Sequence, residues 1–141
     1  MYKRQAVSIR VGVADNRHAP SPALESLAED GEASVRWAVA GNPSAPHGAL
    51  SVLARDGDES VRQRVVNNAG TPAVLLLTLA EDEDSWTRYR ARDMIVTRIC
   101  KTLGVDAENT DAIDTLRDEE WWDMTPESPA VVVALALSPN A

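Results

Sequence analysis

The stretch Ser34-Val-Arg-Trp-Ala-Val-Ala-Gly-Asn-Pro-Ser-Ala-Pro-His-Gly-Ala-Leu-Ser-Val-Leu53 decides the fold, because parts of it recur on both sides at one interval. Arg10, Arg36, Arg62 and Arg88 stand 26 residues apart, and Asn16, Asn42 and Asn68 keep the same spacing. So do Pro20, Pro46 and Pro72; Leu24, Leu50 and Leu76; Leu27, Leu53 and Leu79; and Asp30, Asp56 and Asp82. A fixed period in this range predicts an all-α solenoid, in which each unit buries its apolar face against the next.

Each regular unit reads as two short helices. In the unit that begins at Asp56, Asp56-Gly-Asp-Glu59 has the form of a capping box, with Asp56 accepting from the backbone N–H of Glu59. Val61 and Val65 share one helical face by their spacing of four. Asn67-Asn68 ends the helix through the left-handed conformation that asparagine tolerates. Thr71 then caps a second helix with Pro72 at its first position, and Leu75, Leu76 and Leu79 form its apolar stripe. Neither helix is long enough to be stable alone. Val13, Val39, Val65 and Ala91 form one expected inward row, and Ile9, Val35 and Val61 another. Ala28, Ala54 and Ala80 place a small residue where helices approach closely.

The period fails after Arg92, where Met94 and Arg98 replace the expected Asn and Pro. Without those breakers, Trp86 to Leu103 reads as one longer helix ended by Gly104. The expected domains are therefore a helical array over 1–103, with units near 9–34, 35–60, 61–86 and a divergent 87–103, and an acidic helical cap over 104–141. In the cap, a helix carries Trp121-Trp122, and an apolar helix over 130–137 is buried in place or forms a homodimer contact.

Of 141 residues, 44% are hydrophobic, and the absence of Phe leaves an aliphatic core of Ala, Val and Leu suited to close stacking. The net charge of −8 is unevenly spread: residues 1–103 hold 13 acids and 13 bases, whereas 104–141 hold nine acids against Arg117 alone. A segment of that sign disfavours phosphate backbones. No apolar run reaches the roughly 18 residues of a membrane span. The start Met-Tyr-Lys-Arg-Gln-Ala lacks a signal-peptide apolar stretch, and one cysteine, Cys100, fits a reducing cytoplasm.

The pattern Val39-Ala40-x-Asn42-Pro43-x-x-Pro46-x-x-x-Leu50-x-x-Leu53-Ala54-x-Asp56-x-Asp58-x-x-Val61-Arg62 resembles the variant leucine-rich repeat family, and its Asp-x-Asp-x-x-Val-Arg portion is similar to HEAT-type helical repeats. The likeness covers residues 9–92. It implies a right-handed superhelix of short helices, α/α or α/3₁₀. An iron–sulfur cluster known in the variant-repeat family needs several cysteines, so Cys100 alone implies none here.

Each repeated arginine follows an aspartate by six residues (Asp30/Arg36, Asp56/Arg62, Asp82/Arg88), as in HEAT repeats, where such pairs form a ladder between units. The residues just after the arginines vary: Trp37, Gln63 and Tyr89 are equivalent, and Arg64 and Arg90 occupy the next position. Trp, Tyr and Arg are enriched at interface hot spots, which makes Trp37, Gln63, Arg64, Tyr89 and Arg90 the candidate partner-binding face. Arg88, Arg90, Arg92, Arg98 and Lys101 form a basic stripe against Asp93 that could track phosphates or be compensated by the acidic segment. His18, His47 and Cys100 show no metal-ligand spacing, and no nucleophile–base arrangement or phosphate loop emerges. The expected function is a non-catalytic protein-interaction module without a cofactor. The alternatives are a HEAT-like nucleic-acid binder and, more remotely, a bilin lyase, an activity that also occurs on HEAT-like repeats.

Overall fold

A computed structural model describes residues 2–103, which form seven α-helices and no strand. The expected acidic cap over 104–141, with its Trp pair and its apolar helix 130–137, lies outside the described residues. The chain divides into two compact units, 1–71 and 72–141, a boundary inside the third expected repeat.

The first unit holds α1 (Tyr2–Asp15), α2 (Ser21–Leu27), α3 (Ala33–Gly41), α4 (His47–Leu53) and α5 (Glu59–Asn67). α3 packs between α1 and α5, while α2 and α4 pack against each other behind them. The second unit begins with α6 (Ala73–Leu79), which packs on the 19-residue α7 (Ser85–Leu103). The second helices α2, α4 and α6 are all α-helical rather than 3₁₀, each of seven residues.

Proline sets where those short helices start. Pro20, Pro46 and Pro72 stand just before them with φ of −65°, −70° and −64°, the value their rings impose. Pro72 is therefore the N-cap of α6, not its first residue, and Thr71 does not cap that helix. The Thr71 hydroxyl instead donates to Val65 O at 2.6 Å, satisfying a carbonyl at the end of α5. The cap of α5 also differs from the expected box: Asp58, not Asp56, accepts from Ser60 N at 2.9 Å. Asp56 lies two residues earlier and folds the loop by accepting from Asp58 N.

Leu24, Val35, Val39, Leu50, Leu53, Val61, Val65, Leu76 and Leu79 are essentially inaccessible to solvent. Ile9 and Val13 break their rows. Both are exposed on α1, where the described residues place no helix against their side.

Asn42 and Asn68 do not end their helices through the left-handed region. Their φ values of −74° and −76° are ordinary extended backbone. What the position needs is the amide. Asn42 Nδ2 donates to Ala14 O at 2.7 Å and Asn16 O at 3.0 Å, while its Oδ1 accepts from Ser44 N at 2.9 Å. Asn68 repeats the set with Ala40 O at 2.8 Å, Asn42 O at 3.0 Å and Gly70 N at 2.9 Å. Both asparagines are buried, so each amide links the end of one nine-residue helix to the end of the helix before it. Truncating Asn42 removes its bonds to Ala14 O and from Ser44 N, while Asn16 O keeps its bond from Ala19 N. Asn42→Ala is expected to lower the unfolding free energy by about 2 kcal/mol or more. Ser44→Ala, which loses an exposed bond to Arg17 O, should cost under about 1 kcal/mol. Urea denaturation of the two variants checks the order, and equal losses would deny the amide its role.

Candidate partner-binding surface

The repeated arginines are fixed from two sides. Arg36 Nη1 donates to Asp30 O at 2.7 Å, and Arg62 and Arg88 do the same to Asp56 O and Asp82 O, each six residues back. The six-residue pair is thus a guanidinium-to-carbonyl bond. The carboxylate that an arginine meets lies 20 residues ahead. Arg10 Nε reaches Asp30 Oδ2 and Arg36 Nε reaches Asp56 Oδ2, both at 2.7 Å, and each Nη2 reaches the other oxygen at 3.3 Å. Each pair is bidentate, which fixes geometry as well as charge.

Burial separates the two pairs. The Arg36 and Asp56 side chains are 20% and 7% exposed, against 37% and 12% for Arg10 and Asp30. Water screens the outer pair more, so the inner one contributes more to stability. The bond from Asp56 raises the basicity of Arg36 further. The Asp30 carboxyl is held below its ordinary range chiefly by the backbone N–H of Glu32, with Arg10 adding to the effect against the opposing cost of burial.

The residues of the candidate face fall in both units. In the first unit, Trp37 on α3 and Arg64 on α5 meet: Arg64 Cζ lies 4.0 Å from the centre of the Trp37 ring, a cation–π contact. Trp37 remains 41% exposed. Gly41, one turn beyond Trp37 on the same face of α3, gives the guanidinium its seat, since a Cβ there would fall on Arg64 Nε, Nη2 and Cζ. Arg64 Nε is buried and meets no hydrogen-bond acceptor. Gln63, beside it, is half-buried. In the second unit, Tyr89 is 62% exposed, and Arg90 Nη1 pairs with Asp93 Oδ2 at 2.8 Å.

The basic stripe of α7 is largely turned to internal use. Arg88 and Arg92 donate to Asp82 O and Ala80 O, and Arg90 holds Asp93. Burial lowers the pKa of Arg98. Among the described residues, no group of three His, Cys, Asp or Glu side chains is placed to hold a metal ion, and Cys100 is a buried free thiol. No helix among them is long and apolar enough to cross a membrane. No protein-family model, curated protein or solved structure matches the chain significantly.

Sequence reasoning missed two features. Gly41 was given no role, and the asparagine row looked like punctuation. The signal for the first was a glycine four residues after an exposed Trp; for the second, it was the constant interval itself.

The Asp30 environment sets a pH dependence. A carboxyl with a lowered folded pKa binds its proton less readily than in the unfolded chain, for which 3.8 is the ordinary value. Its stabilisation is complete above that value and is lost as pH falls through the lower, folded one. Wild type should therefore lose stability more steeply on acidification than Asp30→Asn. Urea midpoints measured from neutral pH into acid test this, and parallel curves would contradict it.

Proposed function

We propose that the chain is a right-handed α-solenoid of 26-residue variant leucine-rich or HEAT-like repeats. It acts in the cytoplasm as a non-catalytic protein-interaction module through the face bearing Trp37 and Arg64. The observation that carries this reading is the exposed Trp37 ring stacked by a fixed guanidinium. An aromatic side chain that is rigid before binding loses little entropy when a partner covers it, and Trp and Arg dominate interface energetics for that reason. The recurring amide and guanidinium ties give the solenoid reading its support. Successive helices in the first unit meet through bonds that repeat at the sequence interval.

Nucleic-acid binding through α7 has less support, because Arg88, Arg90 and Arg92 are already engaged within the protein. Phosphate binding there would have to displace internal partners.

Immobilised wild type and a Trp37→Ala/Tyr89→Ala variant, exposed to the same native lysate, should retain different proteins, with the variant losing a specific subset. The circular dichroism of the two should agree. Identical retained sets would reject this face. Saturable, salt-dependent binding of a mixed-sequence duplex would favour the nucleic-acid reading instead.

A further inference from the structure

This inference rests on the proposed partner-binding face and concerns the chemistry of the partner. Three observations in the first unit converge on Arg64. Its Nε is buried without an acceptor, although buried polar groups are nearly always paired. Its guanidinium lies over Trp37, which occupies the planar face and leaves the in-plane N–H donors to other uses. Gly41 provides the space, and a single methyl there would evict the group.

The scaffold itself does not require an arginine at this place. One unit earlier the equivalent residue is Ala38, fully buried. The other arginines of the first unit that recur with the period are committed: Arg10 and Arg36 to carboxylates, Arg62 to a carbonyl. Arg64 is held in position by shape and stacking, while its Nε–H donates to no acceptor. A cation so positioned is preorganised for an external anion, and the planar fork of guanidinium matches a carboxylate best.

We infer that Trp37, Gly41 and Arg64 form a receptor for a side-chain carboxylate on an acidic peptide segment of another protein. The outer Nη edge of Arg64 takes the two carboxylate oxygens, and the exposed part of the indole covers the adjoining aliphatic stem. Residues 1–103 hold 13 acids and 13 bases, so a peptide carboxylate meets no net repulsion from the part of the chain that carries Arg64.

The test uses the full chain and three probes at about 0.15 M ionic strength, where diffuse attraction is screened: blocked hexaglutamate, blocked hexaglutamine and inorganic phosphate. NMR titration follows the Trp37 indole N–H and the Arg64 Nε–H. Hexaglutamate should move both saturably, with hexaglutamine leaving them in place. Arg64→Lys, which keeps the charge but loses the fork, should weaken the binding at least tenfold. Gly41→Ala should do likewise while changing neither charge nor aromatic surface. Arg55→Gln, an exposed arginine elsewhere in the first unit, should leave the affinity within about twofold; a distant rim charge acts weakly at this salt. The inference is overturned if no saturable shift appears, if Arg55→Gln weakens binding as much as Arg64→Lys, or if phosphate binds as well as hexaglutamate. Its failure can be told from that of the partner-binding face. An Arg64→Lys chain that captures the wild-type set of proteins, when the Trp37→Ala/Tyr89→Ala chain does not, removes the carboxylate and leaves the face.

Discussion

A buried asparagine amide joins the end of one nine-residue helix to the end of the helix before it, and the first unit depends on that tie. A helix of nine residues satisfies few of its own backbone groups, because the first four N–H and the last four C=O have no partner inside it. Such a helix is unstable alone. Asn42 and Asn68 turn this weakness into adhesion by donating to the Ala14 and Ala40 carbonyls, in the last turns of α1 and α3. Apolar burial supplies most of the stacking energy but has little directional preference. The amides have direction, and an unmade bond there costs about 1–3 kcal/mol per group. They set the register in which Val35, Val39, Val61 and Val65 meet.

The arginines add a second, weaker fixing. Exposed ion pairs contribute about 0–1 kcal/mol, and the Arg36–Asp56 pair, more buried than Arg10–Asp30, sits higher in that range. Their geometric value is greater. Arg36 holds the carbonyl of Asp30 with one nitrogen and the carboxylate of Asp56 with two others, so one side chain ties the loop before α3 to the loop before α5. Arg64 stands outside this system. It is placed by an indole and a glycine, its Nε unpaired, which is why it reads as a binding group rather than as a structural one.

Much of this architecture was legible because it is periodic. The all-helical fold, the proline starts at 20, 46 and 72, the central valine and leucine rows and the uninterrupted α7 all follow from spacing and breakers. What stayed hidden is what spacing cannot encode. Asp56 and Asp58 are both good caps by type, and only the backbone decides that Asp58 takes the helix while Asp56 takes Arg36. The arginine ladder was visible as a six-residue pair, yet its carboxylate lies 20 residues onward, past the next helix, where no local rule points. Ile9 and Val13 obey the pattern but lie exposed, because periodicity marks a face without fixing what packs on it. At the candidate face, Trp37 and Arg64 were each legible as interface residues. Their contact was not, since it joins different helices through a space that only the absent side chain of Gly41 provides.

The central claim, that side-chain amides make neighbouring short helices stable together, is tested most directly by residue-resolved amide hydrogen exchange on wild type and Asn68→Ala. The account predicts that protection falls together in α5 and in α3, whose Ala40 carbonyl the amide holds. Loss confined to α5 and the turn after it, with α3 protected as in wild type, would contradict the account.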